Sequence, residues 1–321
     1  FRALATNITT NNCTAIGYGS LENSVAANNT AVGTYTGTGI TTGADNVAVG
    51  YNALYANTTA NRNVAIGYEA LDATTTGADN VAVGHTALGA NTTAANNVAV
   101  GYLALRDNTT GSENVGIGYG AIATNTTSSN NTAVGYQALV ASSAANNTAV
   151  GMNALAANTT ATFNTAVGYK ALEDLTTQSY CTAVGYEAGT VYTGTTGSLN
   201  AFGYWALKSN TGGYANTGMG NGALASCTTG SLNTTLGANA GAGISTGHAS
   251  IVIGVDSQGA ANIGNNNTII GYNSHTGSTT GTQRIVLSSG ALTGTTDSAV
   301  HIGNSSGHVR NDYTADATWD Q

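Results

Sequence analysis

The chain of 321 residues contains no proline, and charged residues make up only 7% of it. Proline brings no amide hydrogen, so its absence suits a backbone in which most N–H groups must donate. Low charge together with 44 glycines could mark disorder. Regularly spaced Val, Ile, Leu and Tyr argue for a packed structure instead. Seven Lys and Arg against 15 Asp and Glu leave a scattered net charge of −8. No basic stripe forms, so nucleic acid is excluded as an expected partner. No apolar run approaches the ~18 residues of a membrane-spanning helix, so membrane insertion is not expected either. An initiator Met and a signal-peptide pattern are also missing.

What the chain does contain is one phrase said many times. The glycine of "AVG" recurs at Gly17, Gly33, Gly50, Gly67, Gly84, Gly101 and onwards to Gly254 and Gly271, sixteen units in all. The spacing is seventeen residues with slips of one, and the consensus is N-[TV]-A-[VI]-G-Y-x-A-L-x-x-N-T-T-x-x-x. Fixed periodicity of this kind signals a solenoid. Gly, Asn and a Thr pair in every unit disfavour helix. The expectation is an all-β, parallel β-solenoid or β-roll, with short strands over "TAVGY" and "xAL" joined by turns. Coils stacked about 4.8 Å apart would give a rod of roughly 70 Å.

A single coil cannot stand alone. Ordering each residue costs about 1–2 kcal/mol, whereas burying one Val or Leu returns about 1.5–3 kcal/mol. Stability has to come from stacking. Counting from the anchor glycine as zero, alternation puts positions −3, −1 and +1 (Thr, Val, Tyr) on one strand face, and −2 and 0 (Ala, Gly) on the other. One face can fill the coil's own core. The small Ala/Gly face is expected to meet identical neighbouring chains at close approach, hence a homo-oligomer.

Each coil position becomes a row. Asn at −4, including Asn46, Asn63, Asn80, Asn97, Asn114 and Asn131, should form a stacked amide ladder. A second Asn row passes through Asn57, Asn91, Asn108, Asn125, Asn158 and Asn210. Asp45, Arg62 and Asp79 share position −5 in consecutive coils, so Arg62 is expected between two carboxylates; Lys170 and Glu187 share position +2. Exposed pairs of this kind contribute about 0–1 kcal/mol and serve as tests of register. Cys13, Cys181 and Cys227 fall on the Asn rows and read as small buried substitutes.

No catalytic or cofactor-binding constellation emerges. The carboxylates are dispersed, and His85, His248, His275, His301 and His308 lack metal spacing. An enzyme is not expected, and no cofactor is implied. The Tyr after each anchor glycine reads as a packing row. The Thr pairs, such as Thr58-Thr59 and Thr92-Thr93, admit an alternative as an ice-binding solenoid.

The units "NTAVGYQALVASSAANNTAVG" and "NVAIGYEALDATTTGADNVAVG" resemble the head repeats of trimeric autotransporter adhesins and the related shaft repeats of phage tail fibres, although the adhesin coils are shorter. The closing segment "HIGNSSGHVRNDYTADATWDQ" is similar to the stretch before an endosialidase-type intramolecular chaperone, which trimerises such fibres and cuts itself off. Phe1-Arg2-Ala3-Leu4 matches "Y-x-A-L", so the chain reads as starting in mid-coil. The resemblance implies a homotrimeric fibre of three identical chains, with a repetitive shaft over 1–271 and a distal cap over 272–321. It implies a structural and host-recognition role on an extracellular virion tail fibre, bound non-covalently to a host-surface glycan or protein. A bacterial surface adhesin or filament is the alternative. Arg310, Tyr313 and Trp319 in the cap are the candidate receptor-binding residues, because exposed aromatics and Arg commonly anchor interfaces.

Overall fold

In most coils only the tripeptide before the anchor glycine is extended. The computed structural model describes residues 2–6, 12–194, 197–259, 262–276, 280–290, 297–304 and 306–312, without the side chains of 308 and 310–312. The chain falls into two units, Phe1–Phe163 and Asn164–Gln321. In the first, strands run from Thr14–Ile16 through Thr30–Val32, Val47–Val49 and Val64–Ile66 to Thr148–Val150. In the second they run from Thr165–Val167 to Thr268–Ile270, then Ile285–Ser289 and Ala299–Asn304. Within each unit successive strands pair in parallel, as in Val47↔Val64 and Thr165↔Thr182. The protein is all-β, a parallel β-solenoid of about sixteen turns with about seventeen residues each.

The expected second strand over "xAL" does not form. Residues at +2 and +4 sit at positive φ, for example Asn52 at 53° and Leu54 at 52°, and so does Asp45 at −5, at 60°. A left-handed residue reverses the pleat, so two of them around one alanine make a tight double turn instead of an extended run. The turns still bond coil to coil: Leu54 N–H donates to Ala70 O at 3.0 Å, and Leu71 N–H to Ala87 O at 3.1 Å. This is the pattern that leaves no room for proline.

Alternation along the strand sends alanine inwards. Ala82, Ala87 and Leu88, at −2, +3 and +4 of one coil, are fully buried, as are their equivalents in the neighbouring coils. The Ala face is therefore the protomer's own core, which corrects the expectation that companion chains cover it. From Gly17 to Gly220 the −2 position holds only alanine or glycine, and an added Cβ at Gly116 would lie 3.2 Å from Leu105; the larger Thr235, Val252 and Ile269 fill it where Gly241, Gln258 and His275 replace the leucine at +4.

The anchor glycine is required for two reasons. Its φ lies between 125° and 143° from Gly17 to Gly271, a region closed to side-chain-bearing residues. A Cβ on Gly84 would stand 2.4 Å from the carbonyl oxygen of Gly101, the anchor of the next coil.

Parallel pairing continues beyond residue 271, where the sequence repeat fades. Ile270 pairs with Leu287, and Leu287 with Ile302. Ser288 stands where an anchor glycine would be and hides the coil from the consensus. The strand Gly307–Asp312 then runs antiparallel to Ala299–Asn304 and ends the parallel order.

Candidate functional site

Inner rows hold the coils together, although Asn91 Oδ1 and Asn210 Nδ2 are buried without a hydrogen-bond partner. The main-chain N–H of Asn63, Asn80, Asn97, Asn114 and Asn131 each donates to Oδ1 of the ladder residue one coil earlier, beginning at Asn46, at 2.9–3.0 Å. Each Nδ2 reaches a loop carbonyl, as from Asn46 to Ala60 and from Asn97 to Gly111, both at 3.0 Å. The ladder is thus side chain to main chain as much as amide to amide. The second row closes its own turns: Asn57 Oδ1 accepts from Ala60 N–H at 2.9 Å, and Asn108 Nδ2 donates to Gly111 O at 2.8 Å. Both rows are buried and present nothing to a ligand or a glycosyltransferase.

Charged rows lie outside. Arg62 makes a two-pronged bond to Asp79, at 2.6 and 2.7 Å, and pulls that carboxyl below its usual range. Asp45 instead accepts from Asn28 Nδ2 at 2.9 Å and acts on Arg62 only as a more distant charge. The guanidinium fork fits one carboxylate, so the expected three-residue sandwich is a pair. Lys170 does not join Glu187 either. It bonds Glu173 in its own coil at 3.1 Å, because the turn folds that side chain back to it. Glu187 pairs with Lys208 and accepts from Trp205 Nε1 at 2.9 Å.

The strand's outer face is different in kind. Positions −3, −1 and +1 read Val47, Val49, Tyr51, then Val64, Ile66, Tyr68, and later Thr182, Val184, Tyr186. These side chains are partly or largely open to solvent, with Ile66 at 39% and Leu236 at 49%. From Ile16 to Leu287 the −1 row is apolar in every coil, and the three rows contain no Asp, Glu, Lys or Arg among the described strands. Its aromatic edge is continuous from Tyr51 to Tyr136 in the first unit. Tyr51, Tyr68, His85, Tyr102, Tyr119 and Tyr136 follow one another at centroid distances of 4.8–5.4 Å. In the second unit Tyr169, Tyr186 and Tyr204 do the same at 4.9 and 5.2 Å. Rings stacked this way cover one another's faces and offer their edges, so the row is a packing surface and not a carbohydrate platform.

The remaining polar groups are accounted for locally. Thr58, Thr75, Thr92 and Thr109 each donate their hydroxyl to the main-chain oxygen of the equivalent Thr in the next coil. Burial pushes the thiols of Cys181 and Cys227 up to about 11, which leaves them unreactive at neutral pH. Burial, then the charge of Glu69, raises Asp72 to about 6. Among the described residues no three His, Cys, Asp or Glu gather in metal-binding geometry, and no helix is long and apolar enough to cross a membrane. Arg310 belongs to the closing strand, its main chain opposite His301. Its side chain, Tyr313 and Trp319 lie outside the described residues. Comparison with protein-family models, curated proteins and solved structures gives no match.

Proposed function

We infer that the chain is the subunit of a homo-oligomeric fibre, a homotrimer as its repeats suggest, that serves as a structural and cell-surface-recognition element of a phage tail. The observation that carries this reading is the uncharged outer strand face, partly open to solvent in every coil. Contiguous exposed apolar surface of this length marks an interaction site. Its side chains repeat at the strand spacing of about 4.8 Å, and a partner must share that axial repeat to match it row by row. Another copy of the same chain does so by construction. Three copies would enclose the Val, Ile and Tyr rows and leave the Asn- and Thr-bearing turns facing water.

The outward surface is then nearly uncharged and rich in amides and hydroxyls, suited to non-covalent binding of a host-surface glycan or protein. Sedimentation equilibrium on the purified chain should give three times the chain mass, and the labelled protein should bind intact host-type bacterial cells. A monomer at micromolar concentration, or failure to bind any such cell, would overturn the corresponding half of the reading.

A further inference from the structure

In the second unit the regular surface is interrupted. After Tyr204 the +1 row loses its aromatic residues through Asn221, Ala238 and Val255 before Tyr272 restores one. Over the same coils the +2 row becomes Gly222, Asn239, Asp256 and Asn273, following Trp205. Planar polar side chains on the +2 row, with the small residues Ala242 and Gly259 at +5, leave a depression. Asn239, Asp256, Asn273 and His275, with Ala242 and Gly259, line a cavity of about 350 Å³.

The polar groups in it are held in place. Asn239 Nδ2 donates to Asp256 Oδ1 at 2.9 Å, and Asn273 Oδ1 lies 2.7 Å from His275 Nε2. Gly222 makes room for Asn239, since an added Cβ there would sit 2.6 Å from Asn239 Oδ1. By valence these bonds leave the second Asp256 oxygen, further lone pairs on both amide oxygens and the Asn273 amide hydrogens able to take part in others. Such alternating acceptors and donors match the vicinal hydroxyls of a sugar.

We propose that this cavity binds an uncharged oligosaccharide. Its volume lies within the range of small-molecule sites. Its charge sets the class of sugar: the lining holds one carboxylate and no Lys or Arg, which disfavours sialylated or uronic ligands. Burial lowers the pKa of His275, so the imidazole adds no positive charge at neutral pH. Trp205, on the same row two coils before Asn239, is 39% exposed and is fixed by Glu187 and by Lys208, whose Nζ lies 4.2 Å from the ring centroid. It offers an apolar contact about 10 Å along the stack, by strand spacing, for a chain of several sugar units.

The proposal rests on the cell-surface reading above, and the test separates the two. The intact chain is applied to an array of neutral hexose and N-acetylhexosamine oligosaccharides with sialylated counterparts, and in parallel to host-type cells. Neutral oligosaccharides should be retained. Asp256→Asn and Asn273→Ala should each weaken that retention at least tenfold, with unchanged circular dichroism and sedimentation. Retention of sialylated glycans only, no retention of any glycan, or binding unaffected by either variant would each overturn the site. Cell binding that persists in those cases would leave the surface reading standing with a protein receptor, whereas loss of cell binding would remove both.

Discussion

At the scale of single residues, the coil is governed by which positions accept a positive φ and which tolerate a Cβ. The anchor glycine needs both freedoms. Gly84→Ala would force a methyl against Gly101 O and hold alanine at φ 142°, so a loss of more than about 3 kcal/mol is expected. Urea unfolding followed by circular dichroism measures it.

Asp72 supplies a case of opposite sign. Its folded pKa, about 6, lies above the ordinary 3.8, so the folded chain holds the proton more tightly than the unfolded one. Stability therefore rises as pH falls from about 6 towards 4, and the full penalty applies at neutral pH and above. Asp72→Asn should gain on the order of 1–2 kcal/mol at pH 7, allowing for the group's partial solvation, and nothing at pH 3. Paired melting curves at the two pH values decide it.

At the scale of the element, the ladder converts a turn residue into a link between coils. Asn97 Oδ1 accepts from Asn114 N–H at 2.9 Å, and its Nδ2 serves Asn80 Oδ1 and Gly111 O. Asn97→Ala would strand buried groups in two coils at once, at a cost on the order of 3 kcal/mol. Asn97→Asp keeps the acceptor but turns a charged oxygen on Gly111 O, so its defect should be largest at neutral pH and ease on acidification. Hydrogen exchange of the Asn114 amide reports both.

Much of this level was legible in the sequence. The seventeen-residue period, the stacking register, the buried Asn rows and the parallel order all follow from the placement of Gly, Asn, Ala and Leu. The second strand was misread because leucine ordinarily avoids positive φ, and nothing local in "xAL" announces that packing holds Leu54 and Leu71 there. The coil at Ser288 was missed because its anchor is not glycine. Arg62 pairs with Asp79 as its row implies but not with Asp45, and Lys170 takes Glu173 instead of Glu187, because shared row position gives adjacency, while side-chain reach and turn geometry choose among neighbours. The cavity between Asn239 and His275 had a faint sign, the run of Asn239, Asp256 and Asn273 on the +2 row, which gains meaning only once that row is known to face outward.

For the molecule as a whole, the decisive quantity is the surface that one chain leaves open. If copies cover the outer strand face, a charge placed there should act on assembly and spare the fold, since the side chain is half solvated in a lone chain. Ile66→Asp with Val100→Asp, two coils apart on the −1 row, should shift sedimentation from trimer to monomer with little change in circular dichroism. A trimer that survives both substitutions would place the subunit contact elsewhere.

The reversed strand Gly307–Asp312 changes what the edge of the stack can template. A parallel stack is self-templating, because its last rung offers the hydrogen-bond spacing that any further coil would take up. Laying a segment of opposite polarity on that rung substitutes the alternating narrow and wide pairs of antiparallel bonding, which a parallel coil cannot extend in register. A parallel coil could not extend that strand in register, and removing it would expose the edge of Ala299–Asn304 to further parallel pairing.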